Sequence, residues 1–300
     1  MTLWKDYHLA QSITDALETL TNTPGPARLI AGGTDLLLDL QQGRHPPVDT
    51  LVDVSAVTEM TTIEIRQDRL FIGAAVPLNQ VVASILVQEH ATALVEAAGL
   101  IGGPQVRNTA TLGGNVAHAL PAGDGTIALL SLGAQAEVAD LLGRRLLPLE
   151  DLFLGPGRSR LSPKAELLVG FHVPLCSSNE GSAFQRVMRP QGVAIAILNL
   201  AAWIKSRGNV IDNLRIAVGP SGPTPKRSRK TEAVLRGKPL GSETLNQAVG
   251  ALLSESSFRT SPHRATAEYR QRMAGILLEE VLKTAFQRST AELKIGEAQR

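Results

Sequence analysis

Two adjacent glycine pairs, Gly32-Gly33 and Gly113-Gly114, constrain this chain more than any other feature. The first lies in Ala31-Gly32-Gly33-Thr34-Asp35, after the short apolar run Ala27-Arg28-Leu29-Ile30 and before Leu36-Leu37-Leu38-Asp39-Leu40, which Gly43 stops. This order reads as strand, glycine turn and helix. Such a turn lets consecutive backbone N–H groups and the positive end of a helix converge on a phosphate without a lysine. Thr111-Leu112-Gly113-Gly114-Asn115 offers a second nest, with hydroxyl and amide side chains beside it. Each pair alone can be a simple tight turn. Together they suit a diphosphate better than a single phosphate.

Other chemistries are excluded by what is missing. There is no Gly-x-Ser-x-Gly elbow and no Walker loop, and Ala31-Gly32-Gly33-Thr34 lacks the spaced third glycine of a Rossmann fingerprint. The 6 histidines, at positions 8, 45, 90, 118, 172 and 263, are too scattered for a metal pair, so no catalytic or metal-ligating set emerges. The single cysteine, Cys176, excludes an intramolecular disulfide, a zinc ribbon or a four-thiolate iron–sulfur cluster held by this chain alone. Thirty Lys and Arg against 28 Asp and Glu leave a net charge of +2, which attracts neither nucleic acid nor an anionic membrane. The N-terminus shows no basic segment leading into an apolar core, and the longest apolar run, Val193 to Ile204, contains Asn199 and falls short of the roughly 20 residues of a membrane span. A soluble cytoplasmic protein is the expectation.

With 300 residues and 43% apolar content the chain can bury a large core, and its length suggests roughly two domains. Ser12-Ile13-Thr14-Asp15 caps a helix with Ile13, Ala16, Leu17 and Leu20 on one face. Thr50 to Val54 reads as a strand, and Thr62 to Ile65 with Leu70 to Ile72 as a hairpin about Gln67-Asp68. A long helix is predicted over Gln80 to Ala98. The Gly- and Pro-rich segment Thr109 to Gly125 reads as a working loop, in which Asp124 could accept hydrogen bonds from ribose or ribityl hydroxyls and His118 is read as a structural histidine. A second hairpin pairs Ala136–Val138 with Arg145–Leu147, and Glu166 to Val173 closes the region. Cys176 to Gly181 is the candidate boundary. Beyond it, Ala183–Val187, Val193–Ile204 and Leu214–Val218 read as an antiparallel sheet. Two helices follow, one from Thr224-Pro225 to Gly237 and one from Ser261-Pro262 to about Phe286, before a polar tail. Lys226-Arg227-Ser228-Arg229-Lys230, at the start of a predicted helix, reads as a solvated helix face, with a surface for an acidic partner as the other option.

Several of these segments resemble one family. Ala31-Gly32-Gly33-Thr34-Asp35, the run Ile101-Gly102-Gly103-Pro104-Gln105-Val106-Arg107-Asn108-Thr109-Ala110-Thr111-Leu112-Gly113-Gly114-Asn115 and Pro121-Ala122-Gly123-Asp124 resemble the FAD-binding medium subunit of molybdenum hydroxylases. That family includes the carbon monoxide dehydrogenase medium subunit and the xanthine dehydrogenase flavin domain. The likeness continues through Glu166 to Val169, Ala183 to Arg186, Val193 to Ile197, Pro223-Thr224-Pro225 and Arg264 to Arg270.

The resemblance implies an α+β chain with a two-subdomain FAD-binding fold of the vanillyl-alcohol-oxidase-like (PCMH) type. The subdomains would run over about 1–57 and 58–176, followed by a C-terminal domain of antiparallel sheet and helices over 177–290 and a polar tail, 291–300. It assigns the FAD diphosphate to Ala31, Gly32, Gly33, Thr34 and Asp35 and to Thr111, Leu112, Gly113, Gly114 and Asn115. Asp124 matches an acid at the cofactor's hydroxyl-bearing part, and Leu168 and Val169 match a strand lining its pocket. Ile101 falls where some relatives stack an aromatic on the flavin, and Gln185 where relatives often carry a lysine. From its place just before Thr111 alone, Arg107-Asn108 can pin the loop through backbone carbonyls.

The implied activity is electron transfer. A large molybdopterin-binding subunit carrying the molybdenum cofactor hydroxylates substrate, a small subunit relays electrons through its [2Fe-2S] clusters, and FAD on this chain collects and releases them. The expected assembly is a dimer of such heterotrimers. A stand-alone FAD-dependent oxidoreductase of the same broader fold, or a non-enzymatic flavin- or nucleotide-binding assembly module, are the competing readings.

Overall fold

The computed structural model describes residues 2–189 and 195–298. At its N-terminal end, Val48–Asp53 lies between Trp4–Leu9 and Ala27–Ile30, both parallel to it. Parallel neighbours need crossovers, which the helices Ile13–Asn22 and Leu36–Gln41 supply. The Ser12 hydroxyl accepts from the Asp15 N–H at 3.1 Å and caps the first of them. Ile13, Ala16, Leu17 and Leu20 are buried beneath it, as their spacing predicts.

A five-stranded antiparallel sheet follows, in the order Ile63–Arg66, Arg69–Gly73, Leu167–Pro174, Gln135–Asp140 and Gly143–Pro148. Both predicted hairpins are present, the first turning at Gln67 with φ 55°. The single long helix expected over Gln80 to Ala98 is instead three: Leu78–Ala83, Ile85–His90 and Thr92–Leu100. Ser84 is extended and caps the second piece, and Ala91 breaks the path again. Each break gives up helical hydrogen bonds worth about 1 kcal/mol net apiece. Wrapping the chain around the sheet buries Val87 and Leu94 completely, at about 2 kcal/mol each, and the burial wins.

The C-terminal part is a four-stranded antiparallel sheet, Glu180–Val187, Leu198–Arg207, Val210–Gly219 and Lys226–Arg227, packed against the long helix Ala267–Ala298. Three details differ from expectation. The second strand begins at Leu198, and the predicted start at Val193-Ala194 lies outside the described residues. Lys226–Arg227 adds an edge strand, which delays the next helix to Arg229–Leu235. A helix not foreseen, Ser242–Glu255, lies between the two that were, and the last one starts at Ala267 because Ser261 and Ala265 first close a bridged turn.

Three side chains of the cationic run are tied into this arrangement. Arg227 forks onto the buried Glu232 at 2.9 and 2.6 Å, Arg229 pairs with Glu150, and Lys226 Nζ donates to the Glu255 carbonyl at 3.4 Å. These contacts tie the chain's own elements together, while Arg229 and Lys230 stay exposed on the solvated face of the helix.

The sheets share one interior. Phe184, Ala201, Trp203 and Ala217 of the C-terminal sheet belong to the same apolar cluster as the five-stranded sheet and its helices. Polar ties reinforce it. Glu96 accepts from the Phe184 N–H at 2.8 Å and from Arg288 at 2.6 Å. Arg215, stacked over Trp203, donates to the carbonyls of Ser131 and Leu132 at 2.9 and 3.0 Å.

Candidate functional site

The cleft lies where the strand Ala27–Ile30 ends and the chain turns through Ala31 to Asp35. It holds about 440 Å³ and is walled by Leu29, Ile30, Leu78, Ile101, Val106 and Ala110, with the polar groups of both glycine segments facing it. Among the described residues, no acceptor takes the backbone N–H groups of Ala31, Gly32, Gly33, Thr34 or Asp35. Unpaired main-chain donors demand a partner, and a row of them is an anion nest. Gly33 reaches the geometry with φ +66°. Gly32 is required by proximity, because a Cβ there would stand 2.1 Å from the Thr109 carbonyl oxygen. The first segment therefore abuts the backbone of Thr109 and Ala110, just ahead of the second.

The second segment behaves differently from the first. The N–H groups of Leu112 and Gly113 donate to the carbonyls of Val76 and Ala74 at 3.1 and 2.8 Å, and that of Gly114 to Thr111 Oγ1 at 3.1 Å. This is a correction: Thr111 to Asn115 is not a second open nest. Thr111, Gly114 and Asn115 line the cleft, while Leu112 and Gly113 are buried behind it, Gly113 against Ala74. Asn115 Oδ1 accepts from the Thr126 N–H at 3.3 Å and so fastens the loop to the helix Asp124–Leu132.

Of the other residues singled out by sequence, Ile101 is on the cleft wall. Arg107 holds it there, donating to the Ile101 and Gly102 carbonyls at 3.3 and 2.6 Å. Asp124, Leu168, Val169 and Gln185 are not among the lining residues. Leu168 and Val169 are buried in the central strand, where Val169 O accepts from the Ala74 N–H at 2.9 Å. Gln185 is exposed on the strand Glu180–Val187. Asp124 is buried between parts of the molecule, paired with Arg186 and accepting from Asn199 Nδ2 at 2.5 Å. Burial pushes its carboxyl upward, against the pull of Arg186 and Asn199.

Two further residues stand in the cleft. Arg28 lines it, and among the described residues no carboxylate pairs with its guanidinium. Its signal was position: a lone cation in the strand feeding the glycine turn. His118, read as structural, places Nδ1 3.4 Å from Asp35 Oδ2 and so links the first segment to the second. The hydrogen bond to His118 holds Asp35 below the usual carboxylate range, and the same bond, helped by Asp39, raises His118.

The pair sets a pH window. With its folded pKa raised above 6.5, His118 contributes stability that is complete below that value and is lost as pH rises through the raised one. The Asp35 half is lost as pH falls through its lowered pKa. The thermal-midpoint advantage of the wild type over His118→Gln should accordingly decline on the alkaline side of a scan from about pH 5 to 9. An advantage constant across that scan would mean that the pair does not form.

Whether these residues suit a flavin nucleotide can be judged from the cleft. Five N–H donors and an Arg28 guanidinium that find no partner among the described residues, with a cradle that a side chain at position 32 would fill, fit a diphosphate. The apolar walls fit an adjoining ring. A parallel-sheet turn with such a nest, followed by an antiparallel sheet and a third α+β layer, defines a nucleotide-binding flavoprotein subunit.

Comparison with known proteins carries this further. Residues 3–176 match the FAD binding domain in molybdopterin dehydrogenase, and residues 182–285 match the CO dehydrogenase flavoprotein C-terminal domain. The chain belongs to the family of FAD-binding subunits of molybdopterin-dependent dehydrogenases. It is 31% identical to the xanthine dehydrogenase FAD-binding subunit of Escherichia coli O157:H7, over 93% of this chain and 95% of that protein. It is 30% identical to the carbon monoxide dehydrogenase medium chain of Hydrogenophaga pseudoflava, over 94% and 97%. Among solved structures, carbon monoxide dehydrogenase from Hydrogenophaga pseudoflava superimposes with a TM-score of 0.90 at 29% identity, covering 96% of this chain and 99% of that one. Quinoline 2-oxidoreductase from Pseudomonas putida 86 follows with a TM-score of 0.86 at 25% identity, over 95% and 98%. Among the described residues no helix is long and apolar enough to cross a membrane.

Proposed function

We propose that this chain is the flavin-bearing outlet of a molybdenum hydroxylase complex, receiving electrons from [2Fe-2S] clusters on a small partner subunit and passing them to an external acceptor. The observation that carries this reading is the row of unclaimed N–H groups from Ala31 to Asp35, facing Thr111, Gly114 and Asn115 across one cleft. When bound, FAD supplies the capacity to take up and release two electrons. The protein's part is to hold and orient. The nest and Arg28 neutralise the diphosphate, the Asn115 amide ties the second wall in place, and Arg107 fixes Ile101 against the ring-binding side. Asp124, away from the cleft, serves as a tie between layers. The single cysteine supports dependence on another subunit for the iron–sulfur clusters, since one thiolate cannot hold such a cluster. Substrate hydroxylation belongs, on this reading, to a large molybdopterin-binding subunit in a dimer of heterotrimers.

The purified chain should be yellow, with about one FAD per chain as expected of a resident cofactor. Its flavin should be reduced by the molybdenum substrate only when the partner subunits are present. A colourless protein without affinity for added FAD would overturn the reading, and reduction without partners would favour a stand-alone oxidoreductase.

A further inference from the structure

The helix Ala267–Ala298 begins with a charge that no carboxylate among the described residues answers. Arg270, in its first turn, is 2% exposed and ranks among the largest fully buried side chains. Its Nε is sealed from solvent without a partner, and among the described residues no carboxylate pairs with its guanidinium. Burial, and then the nearby cations Arg264 and Arg259, lower its pKa. Arg186 and Arg227, by contrast, are answered by Asp124 and Glu232, and Arg215 by the carbonyls of Ser131 and Leu132.

The surroundings are built rather than loose. In the segment joining the helix Ser242–Glu255 to Ala267, Ser257 N donates to Ser221 O at 2.8 Å, Ser261 N to Ala265 O at 2.9 Å, and Arg264 N to Ser261 O at 3.1 Å. Ala267 N donates to Thr260 Oγ1 at 3.1 Å, which closes the turn onto the helix. Ser256 Oγ, at the head of the same segment, is also sealed without a partner. Arg264 is half-buried and Arg259 exposed, so the three cations run from the interior to the surface.

Arginine is rarely buried unless paired, and an unanswered buried guanidinium is strongly unfavourable. Its planar fork matches carboxylate and phosphate oxygens two at a time. Two further guanidiniums nearby deepen the attraction for an anion and repel one another without it. We propose that Arg270, Arg264 and Arg259 form a binding site for one oxyanion, a carboxylate or phosphate group, brought from outside this chain. None of the three lines the cleft. The group comes either from a small phosphate- or carboxylate-bearing ligand or from an acidic side chain of a neighbouring subunit.

Thermal unfolding of the full chain tests this, with inorganic phosphate added at an ionic strength held constant by potassium chloride. The midpoint should rise and saturate for the wild type, as for any ligand that binds the folded state. In Arg259→Gln/Arg264→Gln the half-saturating concentration should be at least about tenfold higher. That variant leaves the buried residue in place and keeps the fold. Repeating the titration on the complex assembled with its partner subunits identifies the source. A subunit carboxylate in the site abolishes the phosphate response, and a small ligand's site retains it. No saturable rise in the isolated chain, or an equal rise in the double variant, overturns the proposal. The readout contains no flavin signal, so its failure would leave the proposed function untouched.

Discussion

Gly32→Ala is expected to weaken FAD binding at least about 100-fold, equivalent to about 2.7 kcal/mol, while leaving a folded chain. The new Cβ would lie 2.1 Å from the Thr109 carbonyl oxygen, 2.7 Å from its carbon and 2.9 Å from Ala110 Cα. All three are backbone atoms, so no rotamer change relieves the clash. The two walls of the cleft must move apart, at a stability cost of about 1–3 kcal/mol typical of overpacking. The N–H groups of the turn move with them, and hydrogen bonds weaken steeply once distance and angle are lost. Flavin fluorescence titration reads the effect. Gly250→Ala is the control, since that glycine sits in the helix Ser242–Glu255 with nothing within 4 Å of a new Cβ. It should gain about 0.5–1 kcal/mol of stability and leave FAD affinity unchanged. Wild-type affinity in Gly32→Ala would show that the diphosphate lies elsewhere.

Asp124→Ala should be the most destabilising single substitution in the polar interior. Arg186 and Asn199, with side chains 5% and residue 0% exposed, would lose their shared carboxylate. Removing one member of a buried ion pair costs about 3–5 kcal/mol, because the other charge stays buried and unanswered. For a chain of this size that lowers the thermal midpoint by on the order of 10 °C. The site is already short of partners: Arg186 Nε, Asn199 Oδ1 and Thr126 Oγ1 are sealed without one. Adding Arg186→Met to Asp124→Ala should recover part of the loss, since the orphaned charge is then gone. A single variant within about 1 kcal/mol of wild type, measured by denaturant unfolding, would contradict the buried pair.

What could be read locally was read well. The Ser12 cap, the apolar stripe beneath it and the Gly33 turn depend on residues a few positions apart, and each is found where its spacing predicts. The Thr111 to Asn115 segment looks equivalent to the first turn in one dimension. It differs because Val76 and Ala74, far away in sequence, bring carbonyls to the Leu112 and Gly113 N–H groups, while Thr111 takes those of Gly114 and Asn115. Within the cationic run, the Arg227 partner Glu232 lies only five residues on, but Glu150 and the Glu255 carbonyl come from far along the chain to meet Arg229 and Lys226. The helix Ser242–Glu255 carried a periodic signal in Leu245, Ala248 and Leu252, but its polar remainder masked it. Arg28 and Arg270 differ in kind. Nothing about an arginine in a strand or an early helical turn announces that it will lack a carboxylate, since that is a property of the whole packed molecule.

The shared interior has a thermodynamic consequence. Because Phe184, Ala201, Trp203 and Ala217 lie in the same apolar cluster as the walls of the cleft, the C-terminal layer cannot come away without exposing the core that supports the nucleotide turn. The chain should therefore melt as one cooperative unit. A nucleotide binding near the amino end then protects the far helix from proteolysis, by mass action alone and with no change of shape.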